Sequence, residues 1–424
     1  MTKKKRNTIT NIPHEHTWLW VSLLGFARGL VVAALMSVAM VMLKRLGMGN
    51  SWASCGTALL ALPFVLRQLL KPLMLALPNR EWWMVGMQGL FAISMWGVAM
   101  DVEPNGGGAI IWWWLALAAL TGAMHGILAG DFTNALRGNR RPGRTSVAIT
   151  LPILATVLAL GVTLVIAGDM EVLSRDIDES WGLAFKVMAA MVLAVAVAMA
   201  LSISRYKTSE RRVALATAWH RQMKEISRWW HNSRHWMFAA FIVLFSLHEC
   251  FVLKGVLLFL VDPGSIGGLS LGPQEVAFAH STVAGLAMIA GCVLGFEAIQ
   301  KNGLRKWVLP MVLAITVPDV LLLYLAYAMP SEISMVCLCL SIESFGCGFG
   351  MAGFVRFLRY YGPGRSMAAY GDTCLALVAL AMLLAGVVTG FIQDYFGYRR
   401  FFLFVIIMAI VAIASLWLLR NKRI

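Results

Sequence analysis

Ionisable side chains inside long apolar runs are costly, so each is a candidate for function. Here the runs contain Arg28, Arg67, His125, Asp131, His248, Glu249, Lys254, Asp319, Glu343 and Asp372. Arg28 sits near mid-run in LLGFARGLVVAAL, flanked by Gly25 and Gly29. Small neighbours let its guanidinium reach a cavity, where it suits a carboxylate or phosphate on a solute. Glu249 sits near mid-run in VLFSLHECFVLKGVL. A carboxylate held away from water can carry a proton. Either the two act separately on solute and proton, or they form an ion pair with each other. Lys254, one and a half turns along, is an alternative partner for Glu249.

The other candidates have two readings each. Arg67 and Lys71 lie near the end of their run and either snorkel to the surface or gate a path. Asp131 precedes the basic stretch Arg137–Arg144 and is either half of an ion pair or a proton site. Asp319 follows Pro318 and either caps a broken turn or carries a proton. Glu343 lies among Gly346, Gly348, Gly350 and Gly353, which suit either a flexing gate helix or close packing. Asp394 precedes Arg399 and Arg400 and is expected to pair with them. The solute-contact set is therefore Arg28, Glu249, Lys254 and Glu343. The proton-coupling or gating set is Asp131, Glu249, Asp319, Arg67 and Asp394.

The elements that must hold these residues are apolar segments, roughly twelve of them, each long enough to span a bilayer. They read as 17–43, 52–77, 82–100, 109–131, 147–167, 183–204, 237–260, 275–298, 306–328, 333–354, 368–391 and 398–419. The chain of 424 residues is 59% hydrophobic and 13% charged, far from a soluble composition. The expected fold class is all-α and integral to the membrane, with two six-helix bundles. The expected division is a cytoplasmic N-terminus 1–16, a first bundle 17–204, a linker 205–236, a second bundle 237–419 and a tail 420–424. Arg28 and Glu249 fall in the first helix of each bundle, so both can face a space between them. Lys3, Lys4, Lys5 and Arg6 precede a first run too long for a cleavable signal.

Net charge is +15, which could suggest nucleic acid. Its placement argues for orientation instead. Basic residues gather at 137–144, 301–306, 205–234 and the two ends, on one expected side. Asp101, Glu103, Asp169, Glu171, Asp176, Asp178 and Glu179 fall on the other. That asymmetry puts both termini in the cytoplasm, with no nucleic-acid partner. In the linker, Arg211, Arg212, Arg221, Lys224 and Arg228 alternate with Trp219, Ile226, Trp229 and Trp230. This pattern suits a helix in the headgroup layer, or a regulatory contact.

No Gly-rich phosphate loop, G-x-S-x-G or H-E-x-x-H occurs, so neither an enzyme nor a cofactor is expected. The 7 cysteines lack metal-ligand spacing, and no metal is expected. Trp82-Trp83 and Trp112-Trp113-Trp114 suit interface belts or stacking on a sugar. Gly291-x-x-x-Gly295 and Gly386-x-x-x-Gly390 suit close helix contacts.

Several stretches carry a resemblance. Leu62-Pro63-Phe64-Val65-Leu66-Arg67, Pro72-Leu73, Arg80-Glu81-Trp82 and Gln88 resemble spans 2–3 of the muropeptide permease branch of the major facilitator superfamily. The run from Lys254 to Asp262, Gly267 to Leu271, Gly303-Leu304-Arg305-Lys306 and Pro318-Asp319 is similar to its second half. Gly390-Phe391, Asp394, Gly397-Tyr398 and Phe401-Phe402 are similar to its last hairpin. The resemblance implies the major facilitator fold and a proton-coupled importer of anhydro-muropeptides in the bacterial cytoplasmic membrane. It also admits siderophores or another bulky anion as cargo. The family's acid at the end of span 2 matches Leu75, and its paired acids at the end of span 4 reduce to Asp131. A non-transporting membrane sensor is the reading that the missing charge at Leu75 favours. Partners are then a small solute, protons and lipid, with the chain a monomer.

Overall fold

The computed structural model describes residues 17–102, 108–136, 145–203, 214–231, 233–361 and 367–416. Both termini, Glu103, the Arg137–Arg144 stretch and the front of the linker with Arg211 and Arg212 lie outside the described residues. The described residues are helical almost throughout, because each long apolar run must satisfy its backbone internally to cross lipid.

The helices are α1 (Leu19–Arg45), α2 (Asn50–Val65 continued by Arg67–Ala76 after a 49° bend), α3 (Arg80–Met100) and α4 (Ala109–Leu136). Then come α5 (Thr145–Ser174), α6 (Ile177–Ile203), the linker helix α7 (Leu215–Trp230) and α8 (Ser233–Val261). The last are α9 (Pro273–Asn302), α10 (Leu304–Ala328), α11 (Ile333–Tyr361), α12 (367–396) and α13 (398–415). The stretch from Gly371 to Ser415 has 45 residues, about 68 Å if straight and twice what a bilayer needs. Gly397, with φ 73° and ψ 169°, divides it. Only glycine takes that backbone cheaply. Leaving α7 aside, this makes twelve spans.

Lipid gives helices no hydrophobic reason to associate, so small residues and polar contacts do the work. A Cβ on Gly386 would strike Ala58, and one on Gly390 would strike the carbonyl of Asn50. These two glycines therefore let α12 lie directly on α2, across the two bundles. On α11, Gly346 and Gly350 face Ala314, Met311 and Ile315 of α10, while Gly348 faces Met288 of α9. Close packing accounts for this glycine series.

Two helices hold a π-helical turn, Ala33–Val38 in α1 and Ala277–Val283 in α9. Such turns widen the helix and redirect its carbonyls. Both occur where the bundles touch. Met36 in the first accepts a hydrogen bond from α8, and Ser281 in the second donates to Val157 O of α5 at 2.6 Å.

Candidate functional site

One buried polar cluster is built by three helices of the second bundle. On α8, His248 and Glu249 are adjacent residues, so they leave the helix on neighbouring bearings and can meet ring to carboxylate. His248 Nε2 lies 2.6 Å from Asp319 Oδ2 on α10, and Nδ1 lies 3.5 Å from Glu249 Oε1. Cys347 on α11 donates its thiol to Glu249 Oε2 at 3.2 Å. One turn earlier, Glu343 accepts from Ser344 Oγ at 2.9 Å and lies within electrostatic reach of His248, Glu249 and Asp319. His248 and Asp319 are sealed from solvent, whereas the Glu249 side chain keeps 18% of its surface.

The chemistry follows from the atoms. An ionised carboxylate only accepts, yet both imidazole nitrogens face carboxylate oxygens. Nε2–H can donate to Asp319, while Nδ1 stands 3.5 Å from Glu249 without a hydrogen bond. Three carboxyl groups thus gather around one imidazole.

Sequence and structure place Asp319 differently. Its side chain does not cap the turn after Pro318, because it is spent on His248. Proline breaks the helix there, and the acid at the new helix start projects inward.

Lys254 also departs from expectation. Its amine turns away from Glu249 and crosses into the first bundle. It donates to Thr57 Oγ1 at 2.8 Å and to Met36 O at 3.2 Å. Arg28, half-buried on α1, stands beside Gly130 of α4 and within electrostatic reach of His125. Its place is in the first bundle, whereas the acid cluster belongs to the second. His125 Nδ1 donates to Met84 O at 3.1 Å, which leaves Nε2 as the ring's acceptor.

The bundles are tied together at both ends. At one end Asp262, sealed at the foot of α8, meets Lys44 Nζ at 2.7 Å and Asn50 Nδ2 at 2.6 Å and accepts from the Tyr398 hydroxyl. Beside it, Ser51 N donates to Asp394 Oδ2 at 2.9 Å. Asp394 thus holds the first bundle instead of pairing with Arg399 and Arg400. Arg399 donates to Ala326 O at 3.2 Å and covers the Tyr327 ring.

At the other end Asp372 takes Arg67 Nη2 at 2.7 Å and Lys71 Nζ at 2.6 Å. Both cations are buried, so they do not snorkel. Gln68 donates to Thr373 at 2.8 Å, and Gln222 of α7 donates to Gln68. The linker helix therefore rests on this latch. Asp131 pairs with Arg80 of α3 at 3.1 Å, within its own bundle.

Asp262, Asn50, Lys44 and Tyr398 were not among the sequence candidates. Each sits at a run's end, where a polar residue is ordinary. Their partners are hundreds of residues away, so no spacing links them. The run from Lys254 to Asp262 and Gly397-Tyr398, both within the family resemblance, were the available signals.

No protein-family model matches the chain, and no curated protein matches it in sequence. Solved structures do. A nucleoside transporter, NupG, superposes with TM-score 0.66 at 14% identity, over 95% of this chain and 99% of that one. A POT family transporter in complex with a thioalcohol-conjugated peptide gives TM-score 0.70 at 11% identity, over 97% and 99%. A bacterial homologue of the human drug peptide transporters PepT1 and PepT2 gives TM-score 0.66 at 14% identity, over 97% and 100%. At such identities the likeness speaks for architecture alone: this is an all-α integral membrane chain with the major facilitator fold, two six-helix bundles around an interface latched at both ends.

Proposed function

We propose that the chain is a secondary transporter that moves an anionic solute with protons by alternating access. The observation that carries this reading is the buried cluster His248–Glu249–Asp319–Glu343, which must hold or pass protons at mid-span. Two latches at opposite ends of one interface suit a machine that opens one end at a time. In this reading Arg28 anchors the solute's anionic group from the first bundle, and Glu249, whose side chain keeps 18% of its surface, takes the proton. The bundles 17–204 and 237–419 rock as units joined by the linker 205–236. Charge placement supports cytoplasmic termini, and the resemblance supports a bacterial membrane with import as the direction.

Anhydro-muropeptides are the first cargo to test, on the strength of the sequence resemblance. One of the matched structures is of a proton dependent oligopeptide transporter, which supports looking among peptide-bearing anions. The deciding experiment is uptake of labelled anhydro-muropeptide into proteoliposomes under an imposed proton gradient. Uptake that follows the gradient is the expected result. Flux of neither this solute nor other carboxylates would point to a sensor and end the transport reading.

A further inference from the structure

Lys254 is fully buried at 0% exposure, yet no carboxylate lies within 4.0 Å of its amine among the described residues. The cations of the latches each have an acid: Lys44 has Asp262, and Arg67 and Lys71 share Asp372. Lys254 has a threonine hydroxyl and a backbone carbonyl. Thr57 spends its own proton on Ala53 O at 2.7 Å, so it can only accept from the amine. The carbonyl belongs to Met36, inside the π turn of α1, where the altered ladder turns an oxygen toward α8. Gly386, which lets α12 lie on Ala58 of α2, borders the Lys254 stem: a Cβ there would stand at ordinary contact distance, 3.5 Å, from Lys254 Cε.

The amine therefore reaches across from the second bundle into a seam of the first, held by neutral partners. Two hydrogen bonds do not replace a counter-charge in a medium of low dielectric. When the seam parts, Met36 and Thr57 move off with the first bundle and the amine loses both. It is then a cation at mid-depth on the face between the bundles, and its first full partner is an anion arriving there.

We propose that Lys254 is a second anion-contact position, masked in this conformation and uncovered when the α2–α12 seam opens. The ligand class is a solute bearing a carboxylate or phosphate. This rests on the transport reading and deepens it: the solute's charge is bound better by the open seam than by the closed one. A ligand shifts a conformational equilibrium only through such a difference.

The test uses the full chain in proteoliposomes, with fluorescent noncanonical residues at positions 52 and 395. Trp52 and Tyr395 are 75% and 81% exposed and flank the Ser51–Asp394 contact, so energy transfer between them reports the seam. Without solute, Lys254→Met should raise transfer, because a methionine fills the site with no uncompensated charge. With N-acetyl-anhydromuramyl-tripeptide as probe, wild-type transfer should fall, and its fully amidated form should leave it unchanged. Lys254→Met should remove that fall and raise KM for the anionic probe about tenfold. Lys254→Gln, which keeps the hydrogen bonds, should behave like Met with the anionic probe. Lower transfer in solute-free Lys254→Met would show that the two hydrogen bonds dominate, and would overturn the proposal. Equal losses for both probes would do the same. If wild-type protein takes up neither probe, the cargo reading fails, while the solute-free comparison still decides Lys254.

Discussion

Glu249 keeps more exposure than His248 and Asp319 in the acid cluster, which is why the proposed exchangeable proton is placed on it. Glu249→Gln should abolish gradient-driven uptake while counterflow exchange continues, since exchange needs no net proton movement. Wild-type gradient dependence in that variant would remove Glu249 from the role. Arg28→Ala should weaken an anionic solute far more than a neutral analogue in competition uptake; equal weakening would refute the anchor. At the Asp372 end, one carboxylate serves two buried cations. Asp372→Asn leaves both without a counter-charge, a loss of about 3–5 kcal/mol for a buried pair. The expected readout is a lower melting temperature in detergent, with Asp372→Glu near wild type. Much of this residue chemistry was legible beforehand: a glutamate or arginine in the middle of LLGFARGL or SLHECFVL stands out against lipid. The partners were not. Lys254 looked like the natural mate of Glu249 because both lie on α8, and a helix wheel knows nothing of Met36 or Thr57.

Helices were read well where one run made one helix, and less well at the break inside 306–328. Pro318 hides a helix start whose acid turns inward to His248. The break at Gly397 was legible, since the runs 368–391 and 398–419 end and begin beside it. The glycine pairs identified close contacts correctly in kind, but only the structure names the facing atoms. Gly390 is the sharpest case, since its missing Cβ is occupied by the Asn50 carbonyl. Gly390→Leu should force α12 off α2 and loosen the Asp262 end, an overpacking effect of about 1–3 kcal/mol. Greater cysteine-reagent access at a Cys introduced at position 51 would report it, and unchanged access would argue that the helices shift without cost. The linker helix α7 has an element-scale role too. Its Gln222 touches Gln68, next to the Arg67–Asp372 pair. Gln222→Ala should quicken hydrogen exchange over residues 67–76 if α7 steadies that latch.

The whole molecule is held by distributed ties between bundles, and each tie joins residues far apart in sequence. Composition and charge placement were enough to foresee two bundles in a membrane, because those features are averages over long stretches. Ties are individual pairs, and a pair has no average. This is also why the likeness to transporters of nucleosides and peptides survives at 11–14% identity. Backbone architecture outlasts the side chains that choose a cargo.

The two π turns decide where single carbonyls point across the interface. A π turn is what remains when an α-helix gains one residue and the helix on either side keeps its facing. Here one such extra residue lies in each bundle, α1 in the first and α9 in the second, each against the opposite bundle. Removing one residue from Ala33–Val38 would restore an ordinary helix with the segments on either side still facing as they do now. Met36 would then close its carbonyl into an α-helical ladder, away from Lys254, while Lys44 would still reach Asp262. A single-codon deletion there should therefore remove one tie between the bundles while leaving each bundle's own core and the Asp262 latch intact.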